Sequence, residues 1–284
     1  MPPSLLAVAL PVGLFLAFWA LCYWPLSGLA RAIETTVKNG PRWIERSRLL
    51  TWAIRRASPI APYASILIVL ILGGIASVGA GYLFGELAEQ VGPATTVVNR
   101  VDQAINTWFG HERQPAMSVL LRAATTIGGT GGLALIVAVV AGALLVGKQR
   151  ACAIFLVVTA VAGALLNLGL KMIFARSRPD LASALAAARG YSFPSGHAMG
   201  SFITFGALAS VALRQRWPWK AKSAVLAIAL TMTILVGLSR VYLGVHWASD
   251  IIGGWTAGAV WLTSAATAFE ILLRLRRRRR GSPP

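Results

Sequence analysis

Long apolar stretches separated by short polar or basic runs dominate this chain. A helix needs about 20 apolar residues to cross a hydrocarbon core ~30 Å thick. On that measure seven segments qualify, at 5–23, 63–84, 118–146, 152–174, 197–213, 225–243 and 251–273. The third is overlong and is broken by "GGTGG", Gly128 to Gly132, so 118–127 reads as a separate interfacial piece. Those glycines suit close helix packing, with a phosphate-cradling turn as the other reading. The polar, mildly acidic stretch 85–114 is expected to be an exposed loop with a short helix. Between the first two spans, "PRWIERSRLLTWAIRRASP" sets Trp43, Leu50 and Ile54 on one helical face and Glu45, Arg48, Arg55 and Arg56 on the other. That is the pattern of a helix lying in the headgroup region, although Trp52 falls on its polar side.

Composition agrees with this pattern. Hydrophobic types make up 56% of the 284 residues and charged types 13%, which excludes a soluble domain. The expected fold is an all-α, polytopic membrane bundle: a six-helix core over 61–275, preceded by a first span and amphipathic segment over 1–60 and followed by a basic tail over 276–284.

The net charge of +18 is explained by placement rather than by nucleic acid. When the segments between spans are assigned alternately to two sides, one side collects Arg31 to Arg56, Lys148, Arg150, Arg214 to Lys222 and Arg274 to Arg280, nineteen of the 27 Lys and Arg. The positive-inside rule makes that side cytoplasmic and puts the N-terminus and the loop before His197 outside. The "RLRRRRRG" tail then anchors topology and touches anionic headgroups. No basic residue precedes the first span, so it reads as an uncleaved anchor in what is expected to be a bacterial inner membrane. Cys22 and Cys152 fall at cytoplasmic span ends, where no disulfide is expected.

Three polar clusters lie at the outer ends of spans, where other cations are scarce. They are "KMIFARSRP" from Lys171, "YSFPSGH" ending at His197, and "SRVYLGVHWASD" from Ser239 to Asp250. Charges at a membrane boundary are costly and call for a reason. His246 and Asp250 are four apart, so on a helix the carboxylate can accept the ring N–H and fix the tautomer. Arg240 lies six residues before His246, about 120° away on an unbroken helix, so a turn must bring the two together. A helix starting after Pro194 would offer free N–H groups and its positive dipole end to an anion beside His197. His111 has no such partner and reads as an exposed loop residue. Three histidines, two cysteines remote from the clusters and no paired carboxylates beside them leave no expected site for a catalytic metal, and no other cofactor is implied.

K-x6-R-P at Lys171 to Pro179, P-S-G-H at Pro194 to His197 and S-R-x5-H-x3-D at Ser239 to Asp250 together resemble the signature of the type 2 phosphatidic acid phosphatases, within the superfamily that includes vanadium haloperoxidases and bacterial acid phosphatases. The resemblance covers roughly 63–273 and implies a lipid phosphatase. It makes His246 the nucleophile that becomes a phosphohistidine, Asp250 the group that holds it, and His197 the general acid. It gives Lys171, Arg178, Arg240, Ser195 and the Gly196 amide the phosphoryl oxygens. The expected substrate is a membrane lipid phosphate or diphosphate, such as phosphatidate, phosphatidylglycerophosphate or undecaprenyl diphosphate. A phosphotransferase of the same family is the nearest alternative, and a non-catalytic phospholipid-binding or transport protein the alternative from another class. Transporters place polar groups at mid-membrane in repeated halves, whereas here the polar groups sit at one end of the spans.

Overall fold

The computed structural model describes residues 61–91, 96–180 and 184–279. The first span, the amphipathic segment and the end of the basic tail lie outside the described residues. Those described form eight helices and no strand: α1 (Ala61–Gln90), α2 (Val97–His111), α3 (Pro115–Ile127), α4 (Thr130–Val146), α5 (Arg150–Phe174), α6 (Gly196–Arg214), α7 (Trp219–Tyr242) and α8 (Ala248–Arg279). Five are long and apolar enough to cross a membrane, within Leu67–Gln90, Arg150–Phe174, Gly196–Arg214, Trp219–Tyr242 and Ala248–Arg276. The pair α3 and α4, bent by 54° at the glycine-rich break, is long and apolar enough to be either a sixth, broken span or a re-entrant loop. Large apolar side chains such as Val78, Val139, Leu165 and Ile173 are exposed on these helices, as lipid-facing positions require.

The centre is α6, buried along nearly its whole length. It packs between α5 and α7, and α7 in turn carries α3 and α2. Small residues bring α8 against α6. A side chain at Gly254 would stand 2.8 Å from the Ser195 carbonyl oxygen, so only glycine lets the two backbones approach this closely.

The expected exposed loop with a short helix at 85–114 does contain a helix, but more of the stretch is helical, and less exposed, than expected. α1 continues to Gln90, and α2 is a 15-residue amphipathic helix in which Asp102 is buried. Thr96 caps α2 by accepting the Asn99 N–H at 3.3 Å. The contacts divide the structure into two units. Residues 76–266 form one and contain every candidate site residue. Residues 61–75 and 267–279 belong to the other, where Gly73 lies against Thr267 and Arg274 Nε donates to Glu270 at 2.6 Å.

Two helix ends and two turns set up the site. α5 closes on Ala175, whose left-handed φ of 43° lets its N–H return to the Lys171 carbonyl and turns the chain sharply into Arg176. After α7, Gly244 adopts φ 75°, a conformation that disfavours any side chain. That turn lets the N–H groups of Val245 and His246 both return to the Arg240 carbonyl, at 3.1 and 3.3 Å. The loop before α6 is tied down by Ser192 N–H on the Arg176 carbonyl (2.8 Å) and Ser195 N–H on the Asp250 carbonyl (2.9 Å). The ends of α5, α6, α7 and α8 that bear the three polar clusters therefore meet at one end of the bundle.

Candidate active site

His246 follows the Gly244 turn and is 2% exposed. Its Nδ1 lies 3.0 Å from Asp250 Oδ2, the i, i+4 contact expected from the spacing. The same carboxylate oxygen accepts the Trp247 N–H at 3.0 Å. An ionised carboxylate can only accept, so Nδ1 carries the proton and Nε2 keeps its lone pair. Burial pushes the imidazole down to about 4, against the pull of Asp250 upward, so the ring is neutral near pH 7.

Arg178 faces that lone pair, with Nη1 3.1 Å from His246 Nε2. Backbone carbonyls hold the guanidinium in place. Nη1 donates to Val245 (2.7 Å), Nε to Gly190 (2.9 Å), and Nη2 to Arg189 (3.0 Å) and Tyr191 (3.1 Å). Burial lowers its pKa and Asp250 opposes that shift. Lys171, in the last turn of α5, reaches the same loop, with Nζ 2.6 Å from the Tyr191 carbonyl and 3.3 Å from that of Ser192.

Arg240 completes the trio of cations. Its Nη1 donates to Thr125 Oγ1 at 2.6 Å, while its buried Nε–H has no hydrogen-bond partner among the described residues. A buried donor without an acceptor is expensive, and an anion's oxygen would relieve that cost. Ser195 caps α6, accepting the Ala198 N–H at 3.5 Å, which leaves its own O–H free to donate. At Gly196 a side chain would stand 2.9 Å from Asn167 Oδ1, so the α6 terminus can remain open only with glycine there. His197, half-buried in the first turn of α6, looks toward the start of α4, where a Cβ at Gly129 would stand 3.5 Å from its Nε2. Gly128 in the same break would clash with Val236 if it carried a side chain. The glycine run therefore serves helix packing at Gly128 and leaves room beside a histidine at Gly129.

The eight residues singled out from the sequence gather at one end of α5 to α8. His111 is exposed at the end of α2, and Cys152 is a free, half-buried thiol. The sequence reading missed the layer behind Asp250. Arg176 is buried and donates to Asp250 Oδ1 (2.7 Å), Ser249 Oγ (2.7 Å), Asn99 Oδ1 (2.6 Å) and Asp102 Oδ2 (2.9 Å). Arg176 was visible as a second arginine inside "FARSRP"; Asn99, Asp102 and Thr125 carried no pattern that set them apart.

Three cations, an open helix terminus and a neutral imidazole whose Nε2 lone pair meets one of those cations suit a phosphoryl group. Comparison with known proteins gives the same chemistry a lineage. The model of the PAP2 superfamily matches residues 151–274. Phosphatidylglycerophosphatase B of Bacillus subtilis (strain 168) is 31% identical over 166 residues, 58% of this chain and 81% of that protein. The chain belongs to the PAP2 superfamily. An undecaprenyl-diphosphatase of Sulfolobus acidocaldarius is 35% identical over 80 residues, 28% of this chain and 34% of that one. The crystal structure of a transmembrane PAP2 type phosphatidylglycerolphosphate phosphatase from Bacillus subtilis superposes with a TM-score of 0.62 at 30% identity, covering 67% of this chain and 94% of that chain. All eight sequence-derived candidates lie inside the PAP2 match, whereas Asn99, Asp102 and Thr125 precede it.

Proposed function

We propose that this protein is an integral membrane lipid phosphatase that removes a phosphoryl group from a lipid phosphate or diphosphate through a phosphohistidine on His246. The observation that carries this reading is the buried His246, with Nδ1 committed to Asp250 and Nε2 directed at Arg178. In the first half-reaction the Nε2 lone pair attacks phosphorus and the bond from phosphorus to the leaving oxygen breaks, while His197 gives that oxygen a proton. In the second, water attacks the phosphohistidine, His197 takes the water's proton, and the N–P bond breaks to release inorganic phosphate. Lys171, Arg178, Arg240, Ser195 and the Gly196 amide hold the phosphoryl oxygens as charge moves onto them.

The substrate class follows from the relatives named for phosphatidylglycerophosphate and undecaprenyl diphosphate, and from helices suited to lipid. The positive-inside count supports an extracytoplasmic site, with residues 1–60 as an anchor and amphipathic segment and the basic tail on the cytoplasmic side. Metal independence is part of the proposal. Among the described residues no three His, Cys, Asp or Glu side chains gather as metal ligands, and the cations of the site already supply the charge that a metal would. The test is phosphate release by purified protein in detergent across phosphatidate, phosphatidylglycerophosphate and undecaprenyl diphosphate, with and without EDTA. Turnover of at least one lipid that survives EDTA and is inhibited by orthovanadate is expected. Turnover that vanishes with chelator and returns with Mg2+ overturns the metal-free mechanism.

A further inference from the structure

Behind the site, on the side of Asp250 away from His246, lies a buried charged layer that the proposed chemistry does not use. Arg176 is 9% exposed and Asp102 2%. All four hydrogens on the two terminal nitrogens of Arg176 have acceptors: Nη1 serves Ser249 Oγ and Asp250 Oδ1, and Nη2 serves Asn99 Oδ1 and Asp102 Oδ2. Asp102 also accepts the Ser249 N–H at 2.9 Å and the Ser249 hydroxyl. A carboxylate from α2 therefore caps the start of α8, one residue before Asp250, where the helix dipole favours negative charge. The Trp247 ring lies against the same guanidinium, 5.7 Å from ring centre to Cζ.

Burying an ion pair costs several kcal/mol per charge and is often no better for stability than apolar packing. A fold that needed only to dock α2 could do so with apolar contacts. What this layer adds is control of the Asp250 carboxylate. Oδ2 is set by His246 and Trp247, and Oδ1 by Arg176. With both oxygens held, the carboxylate cannot rotate, and the imidazole keeps one orientation and one tautomer. Without Arg176, Oδ1 would be a buried acceptor with no donor, and the carboxylate would be free to turn. Lysine could not replace the planar fork, which reaches four acceptors at once.

We infer that Arg176 and Asp102 are positioning residues, through which α2, a helix outside the matched family region, holds the Asp250–His246 pair in line for phosphoryl transfer. The inference rests on His246 being the nucleophile. His246 is faced by Asp250 from α8, by Arg178 from the loop after α5 and by Lys171 from α5, with His197 of α6 and Arg240 of α7 across the site. Removing the charge of Arg176 leaves that of Asp250 less neutralised, which favours the imidazolium. The acidic limb of kcat/KM should therefore move to higher pH.

The experiment measures kcat, KM, the pH profile and acid-labile phosphate labelling for wild type, Arg176→Gln, Arg176→Lys and Asp102→Asn in detergent, using phosphatidylglycerophosphate and undecaprenyl diphosphate. Losses in kcat of roughly ten- to a hundredfold at unchanged KM are expected, the size seen when groups that orient a reacting ligand are removed. The acidic limb should rise in Arg176→Gln and stay in place in Arg176→Lys, which keeps the charge but not the fork. Should Arg176→Gln fail to fold, Asp102→Asn and Arg176→Lys decide through the split between kcat and KM. Wild-type kcat in those two variants overturns the inference, as does an unshifted limb in a folded Arg176→Gln. A wild-type protein that carries no label on histidine overturns the nucleophile assignment itself and with it the reading on which this inference rests, so the two failures are distinguishable.

Discussion

Arg178 Nη1 stands 3.1 Å from His246 Nε2, on the edge of the ring opposite the Asp250 carboxylate. A fixed cation thus sits on the lone pair that the proposed phosphoryl group would meet, and the four carbonyls behind the guanidinium prevent it from folding away. Arg178→Lys keeps the charge but loses the geometry set by those carbonyls. A fall in kcat/KM of about a hundredfold or more is expected, the range for losing a donor aimed at a transition-state oxygen. His246→Ala should lose both turnover and the acid-labile phosphoenzyme. Labelled histidine at the normal rate in His246→Ala would show that another residue is the nucleophile.

The close approach of Gly129 to His197 yields a second prediction. Its φ of −74° and ψ of 165° are accessible to any residue, and a Cβ there would stand 3.3 Å from the Thr125 and Thr126 carbonyl oxygens and 3.5 Å from His197 Nε2, so even a small side chain crowds the histidine. Gly129→Ala, the smallest addition, is expected to slow hydrolysis of lipid esters more than that of p-nitrophenyl phosphate, whose good leaving group needs little protonation. His197→Ala should show the same selectivity, and the double variant should be little worse than either single one. Equal losses on both substrates would remove His197 from the role of acid.

Protonation of His246 sets the acid side of the pH response. The imidazole is pushed down from 6.5 to about 4 because burial disfavours its charged form. Activity that depends on the neutral ring should hold through pH 6 and fall as pH drops toward about 4. The stability consequence has the same sign. Between those two values the unfolded chain binds a proton that the folded one refuses, so this histidine makes folding less favourable as pH falls from 6.5 to about 4. His246→Asn should flatten that part of a plot of melting temperature against pH, and an unchanged slope would mean that the ring is already charged in the fold.

Most residues of the proposed phosphoryl path were legible in the sequence, for a physical reason. Lys171, His197, Arg240, His246 and Asp250 are polar residues at the ends of apolar helices, where their cost makes them conspicuous. Asp250 and His246 are also only four residues apart, and although His246 sits two residues ahead of α8 rather than on it, so local a contact survives folding. Arg176 and Asp102 are 74 residues apart, and nothing local ties one to the other. Asp102 sits in a stretch whose polarity suits an exposed loop, and only the folding of α2 onto the start of α8 buries it. The bend between α3 and α4 was legible from the glycines, but the contact of Thr125 with Arg240 across 115 residues was not.

Orientation in the membrane can be tested with two exposed positions at opposite ends of the bundle. Ala187 lies in the loop between the first two motifs, and Arg216 follows α6. In a background with Cys22→Ser and Cys152→Ser, Ala187→Cys should react with a membrane-impermeant maleimide in intact cells. Arg216→Cys should react only after permeabilisation. The reverse pattern would place the site on the cytoplasmic side and assign the lipid to the inner leaflet.

Chain length of the substrate is where the membrane setting and the chemistry meet. The residues proposed to hold phosphate lie at one end of helices whose flanks expose Leu165, Leu168, Met172 and Ile173 on α5 up to the turn that leads into Arg176 and Arg178. A lipid moving in the bilayer would bring its phosphate to the level of these cations while its chains remain beside apolar side chains. A soluble ester would reach the same cations without that contact. Binding energy taken from chains remote from phosphorus helps catalysis only when it holds the phosphate in the attack geometry. Lipid phosphates or diphosphates with long acyl or prenyl chains should therefore exceed glycerol phosphate in kcat/KM by several orders of magnitude, and kcat itself should fall as the chains are shortened at a fixed headgroup. The comparison must be made at one detergent-to-lipid ratio, so that dilution within the micelle does not mimic a chain effect. Equal kcat/KM for glycerol phosphate and phosphatidate would mean that the chains play no part, and would leave a phosphatase of small esters that happens to reside in a membrane.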